Sequence, residues 1–423
     1  MCRTVCGILV FFLLGGLLFA QQPEDVAYQF LKNLVNQDFE SAIGMCNDVV
    51  KQRLTPEALN GIWSSLIDQM GKFIRVLSFN SGEQSGYTIV VFVSEFERSK
   101  LSIVVSVDKD GKVGGLFFQN APATSYQLPS YVDSERVRKE EVTVGEGKWK
   151  LPGELVIPEG TGPFPCVVLI HGSGPNDMDE TVGPNKIFKD IAYGLASRGI
   201  AVLRYHKRTY VYASEIDPLK ITVEDEVIED ALSAVAFLRK RKDIGAVFIL
   251  WHSLGAMLAP EIAERSDADG IIMLAAPARP LEELMIDQLR YLRSQGMPVE
   301  ESQIETLLNL KNNELSPETF VLGAPASYYY DLRKRIPIDL VKKIDKPVLL
   351  IHGGRDYQVT RKDYDIWKSE LEGMENVKLL LFEDLNHLMI AGHGFSYPME
   401  YLRVGHVDQR VIEIIVDWIV SQL

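Results

Sequence analysis

From about residue 138 onward, short apolar runs alternate with stretches of helical spacing, and this alternation narrows the fold more than any other feature. Cys166–Ile170 is apolar throughout, as a strand buried on both faces must be. Val247–Leu250, Ile271–Ala275 and Val348–Ile351 repeat the pattern, and Ile200–Tyr205 and Val377–Phe382 nearly do. Between them, helices are expected over Asn185–Ser197 and Thr222–Arg239, with a closing helix over Gln409–Leu423. Glu141–Val144 and Leu151–Ile157 read as an opening hairpin. Strands and helices in that order predict an α/β class: a doubly wound, mostly parallel sheet, whose ligands bind beyond the carboxyl ends of the strands.

The side chains expected at that edge form a pattern. Val247–Ala256 reads VFILWHSLGA: a buried strand, a sharp turn at His252-Ser253-Leu254-Gly255, then helical spacing from Ala256 to Arg265. A serine on such a turn stands above the sheet at a helix N-terminus, where free N–H groups and the dipole favour developing negative charge. Gly255 suits the turn, because a side chain two residues after the serine would crowd the backbone. Trp251 stands two residues before the serine, where this turn ordinarily has glycine. Its side chain leaves the turn either towards a covering layer, where it would line a substrate pocket, or into the flank of the sheet.

A serine in a strand-to-helix turn means little without partners, and the partners are present. His171-Gly172-Ser173-Gly174-Pro175 follows the Cys166–Ile170 strand directly. Two glycines there let backbone N–H groups converge on one point, so Gly172 and Ser173, with the N–H of Leu254, are expected to form an oxyanion hole. A phosphate-binding loop would need Lys-Ser/Thr after its glycines, and none follows. Asp356 lies just beyond the strand ending at Ile351, and His387 just beyond the strand ending at Phe382. Ser253, Asp356 and His387 therefore come in the chain order of a serine nucleophile, its acid and its base on such a sheet. Asp384 is the rival acid, three residues before His387.

Residues 165–423 resemble the serine α/β-hydrolases. The stretches HGSGPNDMDETVGPNK (171–186) and GLASRGIAVLRYHKRT (194–209) are similar to those of secreted bacterial carboxylesterases of the EstD type, which also carry an N-terminal accessory domain. The resemblance implies Ser253 as nucleophile, Asp356 as acid and His387 as base, acting on a small-molecule ester without cofactor. Short- to medium-chain carboxylic esters are the expected substrates. An acyl thioesterase or acyltransferase would use the same triad, and a catalytically dead cell-envelope binding protein is the reading from another class. Trp251 departs from the family's turn, and His206 stands where related sequences often have an acid.

Residues 23–120 carry a different pattern. Helices are expected over Asp25–Asn36, Phe39–Lys51 and Pro56–Met70, then strands over Phe73–Phe79, Tyr87–Phe96, Leu101–Val107 and Val113–Phe118. This is a small α+β domain, similar to the uncharacterised domain found ahead of secreted hydrolases, with an accessory role and a possible homodimer contact. Residues 121–137, with Pro122 and Pro129, read as a linker to a catalytic domain over 138–423. Some seventy residues separate the strands ending at Ala275 and starting at Val348, more than a crossover needs. A helical cap is expected over 276–346, with helices at Glu282–Gln295, Glu301–Asn313 and Ser327–Arg335. Tyr328, Tyr329 and Tyr330 are its candidates to line the pocket.

The net charge of -14 argues against nucleic acid or anionic lipid as partner. Arg3, the apolar run Gly7–Phe19 and Ala20 read as a signal peptide over 1–20, which implies a secreted or periplasmic protein. After cleavage near Ala20 only Cys46 and Cys166 remain, too few for a disulfide framework. His393 and His406, with Tyr397 and Tyr401, belong to an insertion after His387, and no metal site is expected there.

Overall fold

A computed structural model describes residues 22–121, 126–295, 297 and 299–423. The leader expected over residues 1–20 and Pro122 of the linker lie outside the described residues.

In the N-terminal unit, helices Pro23–Val35 and Pro56–Met70 and the short helices Phe39–Gly44 and Asp48–Lys51 pack on one face of a four-stranded antiparallel meander. Its strands are Phe73–Gln84, Tyr87–Phe96, Lys100–Asp108 and Val113–Asn120. The apolar stripe of the first helix, Val26, Phe30, Leu31 and Leu34, meets Phe79, Phe92, Ile103 and Val105 in one core. The single helix expected over 39–51 is broken for a local reason. Val113 donates its N–H to the Met45 carbonyl and accepts one from Asn47, so the sheet edge captures this backbone. Asn47 then restarts the helix, its side chain capping the Val50 N–H at 3.1 Å.

The second unit is built on an eight-stranded sheet. Six strands are parallel, in the spatial order Ala201–Tyr205, Phe164–Ile170, Ile244–His252, Gly270–Leu274, Val348–Gly353, Val377–Phe382. Leu151–Pro158 and Val137–Val144 extend it antiparallel. Strand alternation divides the interior into two cores. Along the strand Ile244–His252, Val247, Ile249 and Trp251 enter one core and Phe248 and Leu250 the other. The order of the sheet reverses between Phe164–Ile170 and Ile244–His252, so the loops leaving these two strands face each other across the switch point. With helices on both faces, this is the α/β-hydrolase fold.

The long connection after Leu274 forms the cap. Helices Leu281–Ser294, Glu301–Lys311 and Ala326–Leu332 and a two-residue-strand hairpin enclose a small core of their own, with Ile286, Ile304, Leu307 and Leu310. The first of these helices lies over the Asp356 loop: Gln288 donates to the Gln358 carbonyl at 3.0 Å and Tyr291 stacks on Tyr357.

The insertion after His387 joins the two units. Met399 is buried in the N-terminal core, Tyr397 donates to Asp25 at 3.1 Å, and Arg403 pairs with Glu24 at 3.0 Å. Arg355, beside Asp356, holds the same insertion through Glu400 at 2.8 Å and the Gly394 carbonyl at 2.9 Å. The N-terminal unit is thereby tied to the loops that carry Asp356 and His387. In the linker, Tyr126 donates to Asp190 and Tyr131 to the Val407 carbonyl, so the segment is pinned along the second unit.

Candidate active site

Ser253 ends the strand Ile244–His252 and precedes the helix Gly255–Arg265, with φ of 56°, left-handed backbone that a non-glycine residue seldom adopts. The turn is held by the Ser253 N–H on the Leu274 carbonyl at 3.0 Å. Gly255 is needed at its position: a Cβ there would lie 2.6 Å from the His171 carbonyl oxygen and 2.8 Å from the Trp251 ring. That ring corrects the pocket assignment of Trp251. The side chain is 0% exposed and points into the flank of the sheet, in the core shared by Ala256 and Ala259. Strand alternation sends position 251 to the same side as 247 and 249, into that core.

His387 Nε2 lies 3.0 Å from Ser253 Oγ, and its Nδ1 lies 2.6 Å from Asp356 Oδ2. The other carboxylate oxygen of Asp356 accepts the backbone N–H groups of Gln358 and Val359 at 2.8 and 2.9 Å, which fixes the carboxylate plane. An acceptor on Nδ1 keeps the proton there and leaves Nε2 free to take one from the serine. Asp384 is elsewhere, paired at 2.6 Å with Arg410 on the surface. Asp384→Asn should therefore change ester turnover by less than about twofold, as for an exposed ion pair. Asp356→Asn should lower kcat by about 10³-fold or more. Parallel kinetics on the two variants check this, and the reverse ranking would move the acid to Asp384.

The loop after Ile170 stands against the serine: a Cβ on Gly172 would be 3.1 Å from that of Ser253. Of the three expected oxyanion donors, Gly172 is a correction. Its N–H is taken by Glu180 Oε1 at 2.7 Å and cannot also meet a substrate oxygen. Among the described residues, the Ser173 and Leu254 N–H groups donate to no protein acceptor.

Glu180 belongs to a buried layer under the triad that sequence reasoning passed over. Its second oxygen lies 3.2 Å from His252 Nδ1, and His252 Nε2 lies 2.9 Å from the His387 carbonyl oxygen. Burial opposes charge on both groups, yet their attraction outweighs it. Glu180 is held below the usual carboxylate range and His252 above that of imidazole. The neighbouring His171 is pushed down by burial to about 4, the attraction of Glu180 only partly opposing it. One ion pair thus links the oxyanion loop, the serine turn and the histidine loop. The signal was present, since His252 adjoins Ser253, but a carboxylate in a polar loop reads as surface.

The tyrosine triplet also needs correcting. Tyr328 is buried in the sheet core with its hydroxyl on Glu226 at 2.6 Å, and Tyr329 is buried in the cap core with its hydroxyl on the Val321 carbonyl at 2.9 Å. Tyr330 donates to the Leu315 carbonyl at 3.0 Å. Tyr328 ties the cap to the sheet core, and Tyr329 and Tyr330 hold the cap together, so all three hydroxyls have internal partners. The aromatic residues at the site are instead Tyr291, Tyr357 and Tyr401, stacked in succession beside Asp356 with centroids 5.7 and 5.9 Å apart. His206 accepts the Met178 N–H at 3.0 Å and stacks on Tyr210, and His406 pairs with Asp190.

The chain is 54% identical to Esterase EstD of Thermotoga maritima over 412 residues, which cover 96% of this chain and 98% of that one. It belongs to the EstD esterase family. Residues 27–116 also match the family model described as a protein of unknown function, DUF3887, which spans most of the N-terminal unit. Among solved structures, Est1E from Butyrivibrio proteoclasticus is 18% identical with a TM-score of 0.46, covering 67% of this chain and 98% of that one. The Pyrococcus horikoshii acylaminoacyl peptidase is 15% identical with a TM-score of 0.47, covering 83% of this chain and 56% of that one.

Proposed function

We propose that this member of the EstD family hydrolyses short- to medium-chain carboxylic esters through an acyl-enzyme on Ser253. Family membership supports the reaction class, carboxylic ester hydrolysis. The observation that carries the mechanism is the line of Ser253 Oγ, the His387 imidazole and the Asp356 carboxylate, at 3.0 and 2.6 Å. His387 takes the serine proton as Oγ attacks the ester carbonyl carbon, and Asp356 stabilises the imidazolium. The carbonyl oxygen becomes an oxyanion held by the Ser173 and Leu254 N–H groups, the latter at the start of the helix Gly255–Arg265. His387 returns the proton to the departing alcohol, and water, deprotonated by the same imidazole, then releases the acid. The cap helix Leu281–Ser294 over the Asp356 loop supports a small, neutral substrate in preference to a polymer. The apolar leader supports export to the periplasm or beyond.

A panel of p-nitrophenyl esters from acetate to dodecanoate, run beside acyl-CoA substrates, tests this reading. Highest kcat/KM on the shorter esters is expected. Preference for acyl-CoA, or transfer to an added acceptor in place of hydrolysis, would replace it with the thioesterase or acyltransferase reading.

A further inference from the structure

A second buried ion pair lies under the oxyanion loop, on the side opposite Glu180. Lys207 leaves the end of the strand Ala201–Tyr205 and is 3% exposed. Its ammonium is 2.5 Å from Glu226 Oε1 and donates to the Gly172 carbonyl oxygen at 2.9 Å. Glu226 accepts the Tyr328 hydroxyl on its other oxygen at 2.6 Å. It reaches the loop from a π-type turn, Glu224–Ile228, at the start of a long helix, the kind of irregularity that often aims a side chain at a functional site. The cavity adjoining Lys207 measures about 10 Å³, room for a single water at most. An interior lysine therefore spends its charge on one carboxylate and one peptide carbonyl.

That peptide is the informative partner. The Gly172 carbonyl and the Ser173 N–H belong to the same amide, and the amide is conjugated. A cation on the oxygen draws electron density from the nitrogen and makes the N–H a stronger donor, more so in a dry interior. The Gly172 N–H, on the preceding peptide, is fixed by Glu180 at 2.7 Å. Gly172 is thus clamped on both sides, and the Ser173 N–H is left to face the site. Asn176 Nδ2 also reaches the Gly172 carbonyl, at a longer 3.4 Å.

We propose that Lys207 is a positioning residue that orients and polarises the Gly172–Ser173 peptide, so that the Ser173 N–H binds the oxyanion more tightly than an ordinary amide would. Lys207 touches no substrate and acts only through this peptide. The proposal rests on the Ser253 mechanism above, and it identifies what tunes that mechanism's charge-stabilising step.

The test reads the oxyanion directly. An aliphatic trifluoromethyl ketone reacts as the ester does at its first step. Ser253 Oγ bonds to the carbonyl carbon, the C=O π pair moves to oxygen, and the serine proton passes to His387. No group leaves, so the hemiketal persists and its ionisation is followed by fluorine NMR against pH. Lys207→Met combined with Glu226→Gln removes both charges and leaves no unpaired carboxylate in the interior. The hemiketal in this variant should ionise about one pH unit higher than in the wild type, a tenfold loss of oxyanion stabilisation. For ester turnover, kcat should fall by about 10- to 100-fold with KM within about twofold, since a weakened donor costs less than a deleted one. Glu226→Gln alone keeps the lysine on the Gly172 carbonyl with less of its charge neutralised, so ionisation should stay at or below the wild-type pH. Unchanged ionisation in the double variant overturns the proposal, as does an equal rise in Glu226→Gln alone, which would mark mere loosening of the loop. An adduct that still forms on Ser253→Ala would instead overturn the nucleophile assignment, and this proposal with it.

Discussion

Replacing Ser253 by alanine should lower ester hydrolysis by about three orders of magnitude or more while leaving the melting temperature close to that of the wild type. The hydroxyl contributes one hydrogen bond, to His387, so its loss disturbs little of the fold. His387→Ala should cost about as much activity as Ser253→Ala, and the double variant no more than either, because nucleophile and base act as one unit. Additive losses would mean that the two side chains contribute separately, contrary to the 3.0 Å contact between them. Circular dichroism beside the kinetics separates loss of chemistry from loss of structure.

Trp251→Ala should show the opposite profile, with stability lost and specificity kept. The indole is 0% exposed among aliphatic neighbours under the serine turn, and Gly255 lies directly against its ring. Truncation there removes the apolar contact and leaves a cavity, at a cost of about 3–5 kcal/mol. In a unit of this size that corresponds to a fall in melting temperature on the order of 10 °C. The chain-length profile on p-nitrophenyl esters should not change, because the ring is wholly buried in the core and lines no open space. Since its buried Nε1 has no acceptor, Trp251→Phe should be much milder than the alanine change. A shift towards longer esters in Trp251→Ala with little loss of stability would put the indole back in the pocket.

Trp251 also shows where reading from the sequence runs out. That the residue precedes a serine turn was legible, since the apolar run and the helical spacing after Gly255 are local signals. Which way the ring points depends on the pleat, and a one-residue change in where the strand begins reverses it. The parallel strands and the order of Ser253, Asp356 and His387 were legible for the same local reason, because each side chain follows its own apolar run. Glu180, Lys207 and Glu226 were not. In a chain with 24% charged residues, an isolated acid or lysine in a polar loop looks like solvated surface. Only the folded distances, such as 2.5 Å between Lys207 and Glu226, reveal that these charges are interior and paired. Met399 illustrates the limit at the level of domains. A methionine in an insertion of the second unit fills the core of the first, and no periodicity in either segment announces the contact.

The central claim is that Ser253 forms the covalent intermediate, and a p-nitrophenyl alkylphosphonate tests it most directly. The reagent should phosphonylate the protein once per chain with release of one p-nitrophenolate, and peptide mass spectrometry should find the label on Ser253 alone. Labelling should be slowed by Asp356→Asn, whose amide no longer holds His387 in the required tautomer, and should be absent from Ser253→Ala. Full loss of esterase activity with the label on any other residue, or hydrolysis that continues after Ser253 is blocked, would contradict the account.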